Sequence, residues 1–319
     1  MNEFELIKKY FSKLSSNNKN SLRLNDDVFF DKKQKLVISV DTYVEGVHFL
    51  DFRSPDLVIK KIIRSSISDL ICKGVSPKYY FISGSGNRKS FTKKNLVMIS
   101  KSLKQEQKKY SIYLSGGDTT FSKKLSFTIT SVGFSDKIIY RNRAKIDDDI
   151  YVTGNLGDSF IGLKVLQKKI NLNRNLARYF INKYFHPNIH TNITKKLFLI
   201  ANTSIDISDG IIADLEKLIN NQKLSYVLYL NNIPISEKLN KLIELKITKK
   251  IKSITRGDDY QILFTASPSK SRIISKIGKS LGIKISKIGK ICHHSQKSQI
   301  INEKNEKIAL KNKGYFHKF

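Results

Sequence analysis

The sequence predicts a mixed α/β protein of two domains, and three observations support this class. The chain has 319 residues, enough for two domains with a sizeable core. Hydrophobic residues make up 40%, an ordinary globular fraction. Short apolar runs rich in β-branched residues alternate with longer segments of helical apolar spacing, a pattern typical of α/β folds.

The N-terminal half alternates between the two patterns. Apolar spacing predicts helices over 4–14, 55–71 and 93–109, with Pro55 in a first turn and Gly74 as a C-terminal stop. Strands are predicted at 36–40, ending at Asp41, and at 79–83, 112–115 and 125–134. The strand over 112–115 would end at Gly116-Gly117-Asp118.

The C-terminal half begins a second α/β unit. Three acids follow a basic stretch over 141–149, so we expect domains at 1–143 and 144–319. A strand is predicted at 150–154, with others near 225–230, 261–266 and 283–291. Helices are predicted at 158–168, 175–184, 190–201 and 210–220.

Charge and cysteine usage narrow the classes of function. The 58 lysines and arginines give a net charge of +31, which could indicate nucleic-acid binding. Pairs such as Lys60-Lys61 and Lys249-Lys250 are scattered through the chain, whereas nucleic-acid readers concentrate them on one face. We therefore interpret the charge as a compositional bias and expect no specific nucleic-acid partner. Two cysteines without a CxxC pair, and no apolar run of membrane length, predict a cytoplasmic protein without membrane association.

Acidic residues occur in tight clusters beside glycine or serine. The clusters are Asp26-Asp27, Ser39-Val40-Asp41, Ser68-Asp69, Gly116-Gly117-Asp118, Asp206-Ile207-Ser208-Asp209 and Gly257-Asp258-Asp259. Converging carboxylates repel each other unless a cation joins them, and hard cations such as Mg²⁺ prefer oxygen ligands. The clusters therefore predict a metal-assisted phosphate site.

Simpler interpretations remain open for single residues. Asp41 alone could form an Asx turn, and Ser208 or Asp209 could cap the helix that follows. His48 lies between Val47 and Phe49 and could be a packed side chain. The run 147–149 is interpreted as a solvated turn. A Walker loop is excluded, because the glycine spacing over 157–162 is not followed by Lys-Ser/Thr.

The ordered motifs resemble the thiamine-monophosphate kinase family, within the superfamily of aminoimidazole ribonucleotide synthetase and selenophosphate synthetase. The resemblance covers nearly the whole chain and is strongest at two segments. It is carried by the clusters above, by Glu45-Gly46-Val47-His48-Phe49, by Ile205-Asp206-Ile207-Ser208-Asp209-Gly210 and by Gly314-Tyr315.

The resemblance implies an aminoimidazole-ribonucleotide-synthetase-like fold and transfer of the γ-phosphate of ATP onto thiamine monophosphate, giving thiamine diphosphate. It also implies a homodimer formed through the N-terminal domains. By motif position, Mg²⁺ would be held by Asp27, Ser39, Val40, Asp41, Asp69, Asp118, Asp206 and Asp209. ATP would contact Gly117, Asp118, Arg141 and Ser208, and the acceptor would contact His48, Asp258 and Tyr315. No residue is expected to act as a covalent nucleophile.

Two departures and two alternatives accompany this resemblance. Asn25 replaces a glycine of the family pattern, and Arg256-Gly257-Asp258-Asp259 replaces Gly-Gly-Glu-Asp, so Asp258 is one methylene shorter. Another ATP-dependent member of the same superfamily is the first alternative. A basic RNA-binding protein is the second, although it would not need the acid clusters.

Overall fold

The structure is a computed structural model that describes residues 3–310 and 312–315, except for the side chain of Phe4. Two β-sheets with helices form the protein, which confirms the mixed α/β class. The first sheet has the strand order β1-β2-β5-β3-β4, with β3 and β4 parallel and the other pairs antiparallel. Its strands are β1 (Phe29–Asp31), β2 (Leu36–Val44), β3 (Pro77–Gly86), β4 (Tyr113–Phe121) and β5 (Ser126–Phe134). The helices of this half are α1 (Glu3–Leu6), α2 (Pro55–Cys72) and α3 (Lys93–Tyr110).

The second sheet has the order β11-β8-β10-β6-β9-β7. Its strands are β6 (Asp149–Thr153), β7 (Thr203–Asp206), β8 (Leu224–Tyr229), β9 (Ile262–Ala266), β10 (Ile285–His293) and β11 (Gln299–Ile301). The helices are α4 (Asp158–Leu166), α5 (Arg174–Phe185), α6 (Thr194–Ile200), α7 (Ile211–Leu218), α8 (Glu237–Glu244), α9 (Lys250–Ile254) and α10 (Ser271–Leu281). Short 3₁₀ segments and one π-helical turn, Ile7–Phe11, are also present.

Helix α2 lies between the two sheets. It packs against β2 and β5 of the first sheet and against β7 of the second. A helix covered on all sides needs apolar residues on all sides, which explains why Val58, Ile59, Ile62 and Ile63 are all buried. The helix begins at Pro55 and stops before Gly74, whose φ of +80° is the left-handed conformation expected of a helix stop.

One apolar core crosses the predicted domain boundary. Tyr43 and Phe127 of the first sheet belong to the same buried cluster as Tyr151 and Phe264 of the second. The division at 143/144 separates the strands of the two sheets and stays a prediction, since the packing of α2 joins both halves.

Two predicted strand ends were wrong. Strand β2 continues through Asp41 to Val44, because its pairing with β5 runs on to Ser126. Strand β4 runs through Gly116-Gly117-Asp118 to Phe121. A Cβ on Gly117 would lie 1.8 Å from the carbonyl oxygen of Ile82, so this glycine allows close approach of the neighbouring strand β3. The sequence prediction also lacked α8, α9, α10 and the short strands β1, β7 and β11.

None of the helices in the described part of the chain combines the length and the apolar character needed to cross a membrane.

Candidate active site

Carboxylates from separate elements converge at one side of α2. Asp41 lies within β2, Asp69 on the last turns of α2, and Asp206 at the end of β7. Carboxylate oxygens of Asp27, Asp69 and Asp206 all lie within 4.8 Å of one another. Residues far apart in the sequence therefore form one acidic group, as the motif pattern predicts.

Hydroxyl groups hold three of these acids in place. The Ser39 hydroxyl donates to Asp69, and the Ser68 hydroxyl donates to Asp206 at 2.8 Å. The Tyr43 hydroxyl donates to Asp41 at 3.2 Å. A neutral donor orients a carboxylate without forming an ion pair with it, so the three hydroxyl groups fix the direction of the carboxylate oxygens.

Three of these acids, Asp41, Asp69 and Asp206, form a group that we call the central acid triad. Among the described residues, no lysine or arginine lies within ion-pair distance of any of the three. Burial raises the pKa of Asp41 and of Asp206 to about 6 in each case. Burial, followed by the charges of Asp41 and Asp206, raises the pKa of Asp69 well above its ordinary value. Three oriented oxygen donors that form no ion pair with the described lysines and arginines suit a hard divalent cation.

Magnesium should therefore stabilise the protein more strongly at neutral than at acidic pH. Burial raises the pKa of Asp41 and of Asp206 from 3.8 to about 6 in the folded protein. Their protonation therefore contributes to the free energy of unfolding in full below pH 3.8, and this contribution is lost as the pH rises through 6. Above pH 6 both carboxylates are negatively charged, and bound Mg²⁺ would neutralise this charge. We expect the increase in Tm on adding Mg²⁺ to be larger at about pH 7.5 than at about pH 5. An equal increase at both values would contradict a carboxylate site.

Two other acid clusters are already compensated by cations. Lys73 Nζ lies 2.7 Å from Asp26 and 2.6 Å from Asp27, and the Arg141 guanidinium also binds Asp27. Lys217 Nζ forms ion pairs with Asp209 and Asp214. Asp27 and Asp209 therefore differ from the central acid triad in their electrostatic environment.

The alternative that Ser208 or Asp209 caps the following helix does not hold. Helix α7 begins after Gly210 without a side-chain cap from the preceding residues. Instead, the buried carboxylate of Asp214 accepts from the backbone N–H groups of Asp209 and Gly210, at 2.9 and 3.0 Å. Ser208 and Asp209 instead line the neighbouring cavity, where Asp209 is paired with Lys217.

A cavity of about 260 Å³ adjoins the triad. Eight of the predicted site residues line it, namely His48, Asp41, Asp69, Asp206, Ser208, Asp209, Asp258 and Tyr315. The cavity therefore brings together residues that the sequence assigns to the metal, to ATP and to the acceptor. Ser39 and Asp27 do not line the cavity, but the Ser39 hydroxyl donates to Asp69, and the Asp27 carboxylate lies within 4.8 Å of those of Asp69 and Asp206.

The acceptor residues predicted from the resemblance have defined partners. His48 Nδ1 accepts from the backbone N–H of Val44 at 3.0 Å, which assigns the proton of the neutral ring to Nε2. Asp258 Oδ1 binds Lys61 Nζ at 2.7 Å and accepts from the Tyr260 hydroxyl at 3.0 Å. The Lys61 side chain is only 1% exposed and is held over the Tyr184 ring. Tyr315 is positioned by its backbone N–H, which donates to the carbonyl of Asp209 at 3.0 Å.

Asp118, in contrast, lies away from the triad of its own chain. One row of paired residues runs across four strands of the first sheet. It begins at Asp118 on β4, passes through Ser83 on β3 and Thr128 on β5, and ends at Thr42 on β2. Three strand spacings of roughly 4.8 Å place Asp118 about 14 Å from Thr42. Paired residues in one row point to the same face, and Thr42 points opposite to its neighbour Asp41. Gly117 lies on the same exposed strand, and Val40 projects from the exposed face.

Two further interpretations need correction. Asp148 and Asp149 are buried, and Asp148 accepts from Asn202 and Thr265, so the run 147–149 is only partly a solvated turn. Lys61 and Lys73 are buried partners of acids and do not belong to the scattered surface lysines. A lysine within an apolar helical pattern is only a weak indication that its side chain is buried. In a chain with 58 lysines and arginines, such a lysine does not stand out from the others.

Comparison with known proteins agrees with the fold. Residues 24–135 match the family model of AIR synthase related protein, N-terminal domain. Over its full architecture the chain superposes on the solved structure of AaThiL complexed with AMPPCP and TMP, with a TM-score of 0.85 and 25% identity, covering 99% of this chain and 97% of that one. The two sheets, the central helix and the acidic site therefore define a member of the AIR synthase related class.

Full-length relatives define the family within that class. Thiamine-monophosphate kinase of Buchnera aphidicola subsp. Schizaphis graminum is 35% identical over 99% of this chain and 98% of its own. The enzyme of the same name from Escherichia coli is 30% identical, again over 99% and 98% of the two chains. The chain belongs to the thiamine-monophosphate kinase family.

Proposed function

We propose that this protein transfers the γ-phosphate of ATP to thiamine monophosphate and so forms thiamine diphosphate. The observation that carries the proposal is the central acid triad, three oriented carboxylates with which no described lysine or arginine forms an ion pair. They line a cavity that the predicted acceptor residues also line. Membership of the kinase family supports it, as does the likeness to AaThiL complexed with AMPPCP and TMP. We place the reaction in the cytoplasm, as the sequence predicts.

Asp41, Asp69 and Asp206 would hold Mg²⁺. When bound, Mg²⁺ supplies neutralisation of phosphate charge and alignment of the phosphoryl groups. The chain itself supplies the rigidity of the donors, since Ser39, Ser68 and Tyr43 fix the carboxylates before substrate arrives. Direct in-line transfer needs no nucleophilic side chain, so catalysis rests on positioning and charge compensation.

His48, Asp258 and Tyr315 would orient the acceptor. With Nδ1 occupied by Val44, the His48 Nε2–H can donate to a phosphate oxygen. Because Lys61 and Tyr260 both bind Asp258 Oδ1, Oδ2 is the oxygen that can accept from the aminopyrimidine amine. Lys61 thus acts as a positioning residue for Asp258.

The first sheet offers a face for a second copy of the chain. Val40, Phe81, Tyr113 and Phe134 are exposed apolar side chains on this sheet, and all nine residues of β4 are exposed. An exposed apolar sheet face with an uncovered edge strand favours self-association. We propose the homodimer implied by the family resemblance, with Asp118 of each chain reaching the ATP and metal site of the partner subunit.

The function is tested by incubating the purified protein with ATP, Mg²⁺ and thiamine monophosphate, and by separating the products chromatographically. We expect thiamine diphosphate and ADP to form in equal amounts. Thiamine, an aminoimidazole precursor and selenide serve as alternative acceptors. ATP consumption with one of these and none with thiamine monophosphate would reject the assignment in favour of another member of the superfamily.

Tyr315→Ala should weaken binding of the acceptor and leave ATP binding unchanged. Tyr315 lines the cavity beside Asp258, where its ring can contact the cationic thiazolium. A cation over an aromatic ring contributes about 0.5–2 kcal/mol, which corresponds to a rise of about 2- to 30-fold in the KM for thiamine monophosphate. Tyr315→Phe is the matched control and should retain the wild-type KM. Equal KM values for Tyr315→Ala and the wild type would mean that the ring only packs the C-terminal tail.

A further inference from the structure

Lys73 is a buried lysine beside the metal site, and the function proposed above assigns it no role. It follows directly after α2, and its side chain is 0% exposed. Its ammonium group contacts Asp26 and Asp27 and donates to the carbonyl of Ser204 at 2.8 Å. A side chain buried over its whole length cannot swing out to solvent, so its charge is a permanent part of the site.

The Asp26-Asp27 pair has no unpaired negative charge. Besides Lys73, the Arg141 backbone N–H donates to Asp26 at 2.9 Å, and the Arg141 guanidinium contacts both oxygens of Asp27. Two carboxylates thus face one ammonium and one guanidinium. A divalent cation bound to Asp27 would lie close to two fixed positive charges and would be repelled by both.

We propose that the Lys73 ammonium takes the place of a divalent cation at Asp26-Asp27, so that Asp27 is not a metal ligand in this chain. This inference deepens the proposed function and rests on its assignment of the metal site. It departs from the role that the family resemblance implies for Asp27. Asp27 then serves to hold Lys73 and Arg141 in place, although its oxygens lie near those of Asp69 and Asp206.

The number of Mn²⁺ ions bound per chain tests whether Lys73 takes the place of a divalent cation, and no substrate is needed for this measurement. Mn²⁺ is titrated into the wild type and into Lys73→Met, which retains the unbranched shape and loses the charge, and the free ion is measured by electron paramagnetic resonance. We expect Lys73→Met to bind one more Mn²⁺ per chain, because Asp26 and Asp27 then face only Arg141. Lys287→Met is the matched control, since it removes a lysine paired at 2.6 Å with the buried Asp149, on the second sheet. The control should show the wild-type count.

An equal or smaller count in Lys73→Met would overturn the proposal. Should that variant fail to fold, Asp27→Asn in the wild-type background decides the question. We expect its Mn²⁺ count and affinity to match the wild type, whereas loss of an ion, or weakening by about tenfold or more, would show that Asp27 is a ligand. Failure of thiamine monophosphate phosphorylation would reject the proposed function and leave these metal counts unaffected, so the two failures are distinguishable.

Discussion

Asp41→Asn is expected to fold normally and to lose nearly all turnover. Asp41 is one of three carboxylates in the central acid triad, and an amide binds Mg²⁺ weakly while leaving phosphate charge uncompensated. Loss of such charge stabilisation costs about 4 kcal/mol, or about 10³-fold in kcat. Because the substitution removes one of three mutually repelling acids, the metal-free variant should melt at a higher temperature than the wild type.

The measurement pairs kcat with the Tm of the metal-free protein. Asp136→Asn, which alters an exposed acid just after the first sheet, is the control and should change neither quantity. Turnover close to that of the wild type in Asp41→Asn, with a lowered Tm, would assign Asp41 to packing or to a turn.

Mixing two inactive variants should restore activity if Asp118 acts in the partner subunit. Asp41→Asn and Asp118→Asn are each expected to be inactive alone. In a randomly mixed population half of the dimers combine both variants, and each of these holds one intact site. Activity should therefore recover to about one quarter of the wild-type value in a two-fold symmetric dimer.

A second mixture provides the control for this recovery. Asp41 and Asp206 line the same cavity of one chain, so mixing Asp41→Asn with Asp206→Asn creates no intact site and should stay inactive. Absence of recovery in the Asp41/Asp118 mixture as well, with dimers verified by light scattering, would place Asp118 outside the partner's site. Recovery in both mixtures would indicate subunit effects unrelated to site composition.

Long elements with strong periodicity could be predicted from the sequence. The pattern over 55–71 became α2, which ends at Cys72, and the pattern over 93–109 became α3, which ends at Tyr110. The apolar residues of α2 pack on the first sheet, and α3 packs against α2, so burial sets the apolar period of both helices. Helix α8 was missed because only Leu239 and Leu242 are buried in eight residues, and helix α10 because lysine and serine interrupt its apolar positions.

The acids of the site could be located from the sequence, whereas their electrostatic partners could not. Clustered carboxylates are uncommon in a basic chain, so Asp41, Asp69 and Asp206 stood out. Lys61 and Lys73 did not, because a lysine is assigned to the surface unless a tertiary contact shows otherwise. The sequence also could not show that Asp118 faces away from Asp41, since that depends on the pairing of four strands.

Because α2 carries both Lys61 and Asp69, one continuous run of peptide bonds sets the distance between the acceptor end and the metal end of the cavity. Eight residues at 1.5 Å each separate the two positions by about 12 Å along the axis. Inserting a single alanine between them would rotate one end by about 100° and shift it by about 1.5 Å, breaking either the Lys61–Asp258 contact or the approach of Asp69 to Asp206. Loops elsewhere in the chain can change length during evolution, but this helix cannot, and chains that share the chemistry should share its residue count between those two side chains.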